Sequence, residues 1–111
     1  MLIDIYTKTP ESLLALILDA INENSSAHMN LWETVYDSGE DYLTLTEIKY
    51  YFKVLLKPEA IEGIKLRFSF VFHHDYSDNQ HFVKCEYASK FTEYILCNFI
   101  DHIRGIQIFP K

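Results

Sequence analysis

The chain has few of the residues that staple or interrupt small folds: of 111 residues, two are cysteine, three glycine and three proline. Cys85 and Cys97 stand twelve positions apart with no Cys-x-x-Cys pair, which excludes a zinc knuckle and a thioredoxin-like redox pair. Both lie in apolar surroundings, so buried free thiols in a reducing compartment are expected rather than a disulfide. The scarcity of glycine and proline leaves little room for a linker, and no segment repeats, so one domain over residues 1–111 is expected. Long apolar runs are missing as well. The longest, Leu13 to Leu18, is far short of a membrane span, and Asp4 falls where a signal peptide needs its apolar stretch. The expectation is a soluble, cytoplasmic protein with no membrane partner.

Basic charge is absent from a long stretch. Between Lys8 and Lys49 there is no Lys or Arg, while eight acids fall there: Glu11, Asp19, Glu23, Glu33, Asp37, Glu40, Asp41 and Glu47. Residues 9–48 therefore carry −8 and the remainder +2, for a net charge of −6. Nucleic acid and anionic membranes require a basic footprint that this chain does not have. Catalytic motifs are also missing: there is no G-x-S-x-G elbow, no glycine-rich phosphate loop, and neither cysteine stands in an electropositive setting. No cofactor is implied.

What is present is a bulky apolar inventory, eight Phe, eight Tyr and one Trp, in a chain long enough to bury a core. Leu2 to Lys8 reads as a short strand. Thr9-Pro10-Glu11 is a helix start, with a capping hydroxyl, proline at the first helical position and an acid in the first turn, and the apolar pattern runs to about residue 23. Leu31 to Tyr36 and Tyr42 to Thr46 flank Asp37-Ser38-Gly39-Glu40-Asp41 as a hairpin with a five-residue loop. Residues 48–57 fit either period; Tyr-Tyr-Phe and Val54 favour a strand, which Pro58 should end. Ile64 to Phe72 alternates cleanly as a strand, and His81, Val83 and Cys85 form the apolar row of a partner strand beyond a turn. Residues 87–104 carry Phe91, Tyr94, Ile95, Phe99 and Ile103 at helical spacing with Gly105 as the stop, and Ile106 to Phe109 is an edge strand before Pro110. The fold class is α+β: a mainly antiparallel sheet packed by two helices, over about 10–23 and 87–104, on one face.

Three constellations compete for function. Around the 73–81 turn, His73, His74, Asp75, Asp78 and His81 are residue types used in metal sites and acid–base pairs. Pairing Phe72 with Val83 would set His74 opposite His81, the basis for a metal- or histidine-dependent hydrolase. A solvated turn explains the same residues, so no metal ligand is assigned. Residues 37–47 have the flavour of a calcium loop, but the span is ten steps where an EF-hand needs eleven, and Gly39 falls third rather than sixth.

The third constellation is the acidic segment itself, where Trp32, Tyr36 and Tyr42 lie among Glu33, Asp37, Glu40, Asp41 and Glu47. Trp and Tyr anchor protein interfaces, and acids around them steer a basic partner. These eight residues are the candidate partner-binding surface, with no catalytic residue assigned. The leading expectation is a small acidic, non-catalytic protein that neutralises a basic protein partner. Its most concrete form is a bacterial immunity or antitoxin protein that occupies the groove of a nuclease-type toxin. A third expectation is a structural subunit of a homo-oligomer, built on the C-terminal helix and the Ile106–Phe109 edge.

Overall fold

Alternation and helical spacing in this sequence resolve into β1 (Leu2–Tyr6), α1 (Pro10–Glu23), β2 (Trp32–Asp37), β3 (Glu40–Leu45), β4 (Val54–Ile61), β5 (Lys65–Phe72), α2 (Gln80–Phe99), a 3-10 turn (Ile100–His102) and β6 (Gly105–Phe109). The computed structural model describes residues 1–23, 31–74, 76 and 79–110. The strands form one sheet in the order β2-β3-β4-β5-β1-β6, with every neighbouring pair antiparallel. The α+β class is as expected from the sequence.

Side chains alternate across a strand, so each strand offers one row to each face. One face carries Ile3, Ile5, Leu43, Leu45, Leu56, Leu66 and Phe68, all in a single core with Leu13, Ile17 and Ile21 of α1 and Val83, Tyr87, Phe91 and Ile95 of α2. Both helices cover that face. Edge-to-face ring contacts knit it: Trp32 meets Tyr87 at 5.6 Å and Phe91 at 5.3 Å, and Phe68 meets Phe91 at 4.6 Å. Tyr87 also ties α2 to the sheet through its hydroxyl, which donates to the Val54 carbonyl (2.8 Å) and accepts from the Leu45 amide (3.3 Å). Burial pushes its pKa up to about 12.

The other face is uncovered by helices. It holds Asp4, fully buried beneath longer neighbours. Arg67, directly opposite on β5, donates two hydrogen bonds to Asp4, Nε to Oδ1 at 2.8 Å and Nη2 to Oδ2 at 3.0 Å, and Lys65 Nζ lies 2.9 Å away. These cations, Arg67 foremost, hold the Asp4 carboxyl below its usual range against the opposing effect of burial.

The structure corrects several boundaries. The hairpin loop is two residues rather than five, because Ser38 (φ 53°) and Gly39 (φ 84°) both take left-handed conformations and make the tight turn that suits strand twist. Asp37, Glu40 and Asp41 are thereby drawn into the ladder. Residues 48–53 are neither strand nor helix: successive turns, with Tyr50 and Tyr51 amides bonding the Glu47 carbonyl and Val54 bonding Tyr50, end at Phe52, whose φ of 66° breaks any regular repeat. Pro58 does not end β4, which runs to Ile61. Its registered partner is Phe68, and the described register with β3 stops at Leu43–Leu56, so a missing N–H turned away from β5 removes no ladder bond.

The strand expected at 81–85 does not exist. Asn79 accepts a hydrogen bond from the Phe82 amide (3.2 Å) and caps a helix that starts at Gln80, placing Val83, Tyr87, Phe91 and Ile95 on one buried stripe. The second helix is therefore 80–99, not 87–104, and Gly105 opens β6 instead of stopping the helix. The thiols of Cys85 and Cys97 are free as expected, yet both residues are exposed, because they lie off that stripe.

Candidate partner-binding surface

The hairpin that carries the acids is an outer element of the sheet. Its register pairs Trp32 with Leu45, Glu33 with Thr44, Val35 with Tyr42, Tyr36 with Asp41 and Asp37 with Glu40. Glu33, Val35 and Asp37 therefore share the uncovered face with Glu40, Tyr42 and Thr44, while Trp32 and Tyr36 point to the helix side. Trp32 is only 1% exposed and packed on α2, so it cannot anchor a partner; the α2 stripe that buries it starts at Val83, inside a segment whose alternation suits a strand equally well. Tyr36, on the same row but beyond the helices, is 73% exposed.

The remaining candidates separate into a tip and a base. At the tip, Tyr36, Asp37, Glu40 and Asp41 are consecutive in space around the Ser38-Gly39 turn, and all are exposed. Tyr42 donates its hydroxyl to Glu40 Oε2 (2.9 Å), and that bond raises the phenol pKa. Lys57 Nζ approaches Glu40 at 3.5 Å, whereas no cation is paired with Asp37 or Asp41 among the described residues. Asp37 and Glu40 stand directly opposite each other, a like-charge cross-strand pair that works against hairpin stability.

At the base the acids are already engaged. Glu47 is ion-paired with Lys90 of α2 and lies 3.7 Å from Lys49, and the Lys90 bond holds its carboxyl below the usual range. Lys90 also reaches Glu86 at 3.6 Å, which in turn accepts from the Tyr50 hydroxyl at 2.9 Å. Burial, with Glu86 second, pushes the Tyr50 pKa up to about 12. Burial first, and the nearby Glu33 carboxylate second, raise the Tyr51 pKa. Glu33 and Glu47 are thus structural partners of the 46–53 turn rather than members of the tip.

Sequence reasoning missed two exposed apolar side chains next to this base. Ile48 is 91% exposed and Phe52 about half, and Glu33, Thr46, Ile48 and Tyr51 line a shallow depression. A bulky residue such as Phe52 at positive φ is an uncommon, strained conformation. The competition of two periodicities over 48–57, neither of which excludes the other, was its only sign in the sequence.

The histidines do not form the anticipated pair. His74 lies on the turn after β5 and His81 in the first turn of α2, so no cross-strand register sets them opposite each other. His73 and His74 rings lie 4.2 Å apart, and His81 Nε2 is 3.9 Å from Cys85 Sγ. Asp75 and Asp78 lie outside the described residues. Among the described residues no three His, Cys, Asp or Glu side chains converge on a point where a metal would sit, and no helix is long and apolar enough to cross a membrane.

The molecule is thus an α+β protein with an open sheet face and an exposed acidic hairpin tip at one edge. No protein-family model matches the chain, and comparison with curated proteins and with solved structures found no match.

Proposed function

We propose that this protein is a small acidic binding protein that neutralises or regulates a basic protein partner, most concretely an immunity or antitoxin protein against a nuclease-type toxin. One observation carries the reading: the hairpin tip presents Tyr36, 73% exposed, among Asp37, Glu40 and Asp41, and no cation pairs with the first or last of these acids among the described residues. An exposed tyrosine gives an anchor of large area and few rotors, and unpaired carboxylates around it accelerate encounter with a cationic surface. The Asp37–Glu40 juxtaposition supports the same reading, since local features that oppose stability concentrate where a surface serves function. Carboxylates spaced along a strand can stand in for phosphates in a basic groove.

The test is capture from a cell extract on immobilised wild-type protein and on the Asp37→Lys/Glu40→Lys/Asp41→Lys variant, with a salt gradient for elution. A basic protein held by the wild type, released as ionic strength rises and absent from the variant is the expected result. A partner retained equally by both, with no dependence on salt, would overturn the mechanism.

A further inference from the structure

We propose that β6 and the outer side of α2 form a self-association surface, through which two copies of this chain pair β6 with β6 antiparallel across a two-fold axis. β6 is the outer strand at the end of the sheet opposite the acidic hairpin. Its sequence, Gly105-Ile106-Gln107-Ile108-Phe109, has no charged residue. Outer strands of monomeric proteins are usually blunted by charge, by proline or by a cover, because their unpaired N–H and C=O groups invite another strand. β2 is blunted in this way by Glu33 and Asp37; β6 is not, and Arg104 and Pro110 merely frame the five residues that can pair.

The helix beside this edge is prepared in the same sense. Phe82, Cys85, Ser89 and Leu96 recur at helical spacing on the solvent side of α2, all exposed, with Ile100 continuing the row. This row contains no charge. Lys90 lies on the opposite flank, and Glu93, one turn from both Ser89 and Leu96, borders the row; both line the cleft at Leu31 and Trp32. Cys85 and Ser89 line one open groove with Ile108, which sets the uncharged side of α2 directly above the β6 edge. A stable homodimer needs roughly 800 Å² from each copy. Two five-residue strands fall short of that alone, so the pairing must also bury the exposed row of α2, a helix of 20 residues about 30 Å long.

Charge decides why the occupant is a second copy. Each molecule carries −6, so two copies repel unless their acids stay apart. The surplus lies in residues 9–48, with its exposed tip at the β2–β3 edge, whereas beside β6 the buried Asp4 is already matched by Lys65 and Arg67, and the exposed Asp101 shares its depression with Arg104. A two-fold through β6 keeps the two acidic tips at the far ends of a continuous twelve-stranded sheet and leaves both free for another partner. This inference does not rest on the function proposed above.

Sedimentation velocity over a micromolar-to-millimolar series tests it: the mass should rise with concentration from 13.1 kDa toward twice that value. Ile108→Glu and Leu96→Glu, at half-exposed positions, should hold it at the monomer mass, and Asp41→Lys should not. Alkylation of the wild type gives a readout free of any folding defect, because the Cys85 rate should fall as concentration rises while that of Cys97, on the other flank, stays constant. A constant monomer mass, association that survives both glutamate variants, or equal and concentration-independent alkylation of the two thiols would each overturn the proposal.

Discussion

Two regions of the sheet treat the same functional group in opposite ways. At the interior β1–β5 pair, Asp4 is fully buried, held by a forked Arg67 and by Lys65, and its ionised form is favoured. At the β2–β3 end, Asp37 and Asp41 are exposed with no cation paired to them among the described residues, and Asp37 faces Glu40 across the ladder. An acid that serves the fold is buried and matched; an acid held against the interest of the fold is left in water next to its like. The hairpin also contains its own contrast, since Trp32 and Tyr36 lie on one row four residues apart and only the second reaches solvent.

The largest effect belongs to that row. Trp32→Ala should destabilise the protein by about 3–5 kcal/mol, because it empties the centre of the Tyr87–Phe91 ring cluster. Tyr36→Ala should change stability by less than about 0.5 kcal/mol, as expected of an exposed site. Chemical denaturation of both variants checks the pair, and similar costs at the two positions would erase the distinction between core and surface along β2.

Asp4→Ala comes next, at about 2–3 kcal/mol, since truncation strands two cations that are themselves only partly exposed. The pH dependence has a definite sign. The folded carboxyl titrates below its unfolded value, near 3.8, so its contribution is fully present above that pH and is lost as pH falls through the folded pKa. The gap in melting temperature between wild type and Asp4→Ala should therefore be wide at pH 6 and narrow on acidification below about pH 4. A gap that does not change with pH would mean that Asp4 acts through packing rather than charge.

The sequence was most legible where one physical signal dominated. Thr9-Pro10-Glu11 placed the start of α1, and strict alternation over 64–72 placed β5, because capping and pleat leave little choice of conformation. It was least legible where the same residues satisfy two periods. His81, Val83 and Cys85 alternate as a strand would, yet Val83 also begins the Val83-Tyr87-Phe91-Ile95 stripe, and the Asn79 cap decides between them. The exposed tip was found through composition and charge alone. Trp32 was misplaced for the complementary reason: residue type marks what can anchor a partner, but only the register shows which face a strand residue takes.

The smallest effects sharpen the functional half of the comparison. Asp37→Lys turns a like-charge cross-strand pair into an opposite one and should stabilise the hairpin by roughly 0.5 kcal/mol. Ser38→Asn should stabilise it by a few tenths of a kcal/mol by a different route, since asparagine followed by Gly39 suits a turn in which both central residues have positive φ. The two changes act on adjacent positions and move stability in the same direction, so stability alone does not tell them apart. Partner binding does: Asp37→Lys should weaken it by about tenfold or more by placing a cation where a basic surface must dock, while Ser38→Asn should leave it unchanged. Equal affinities for the two variants would make the tip a solvated hairpin whose like charges carry no function.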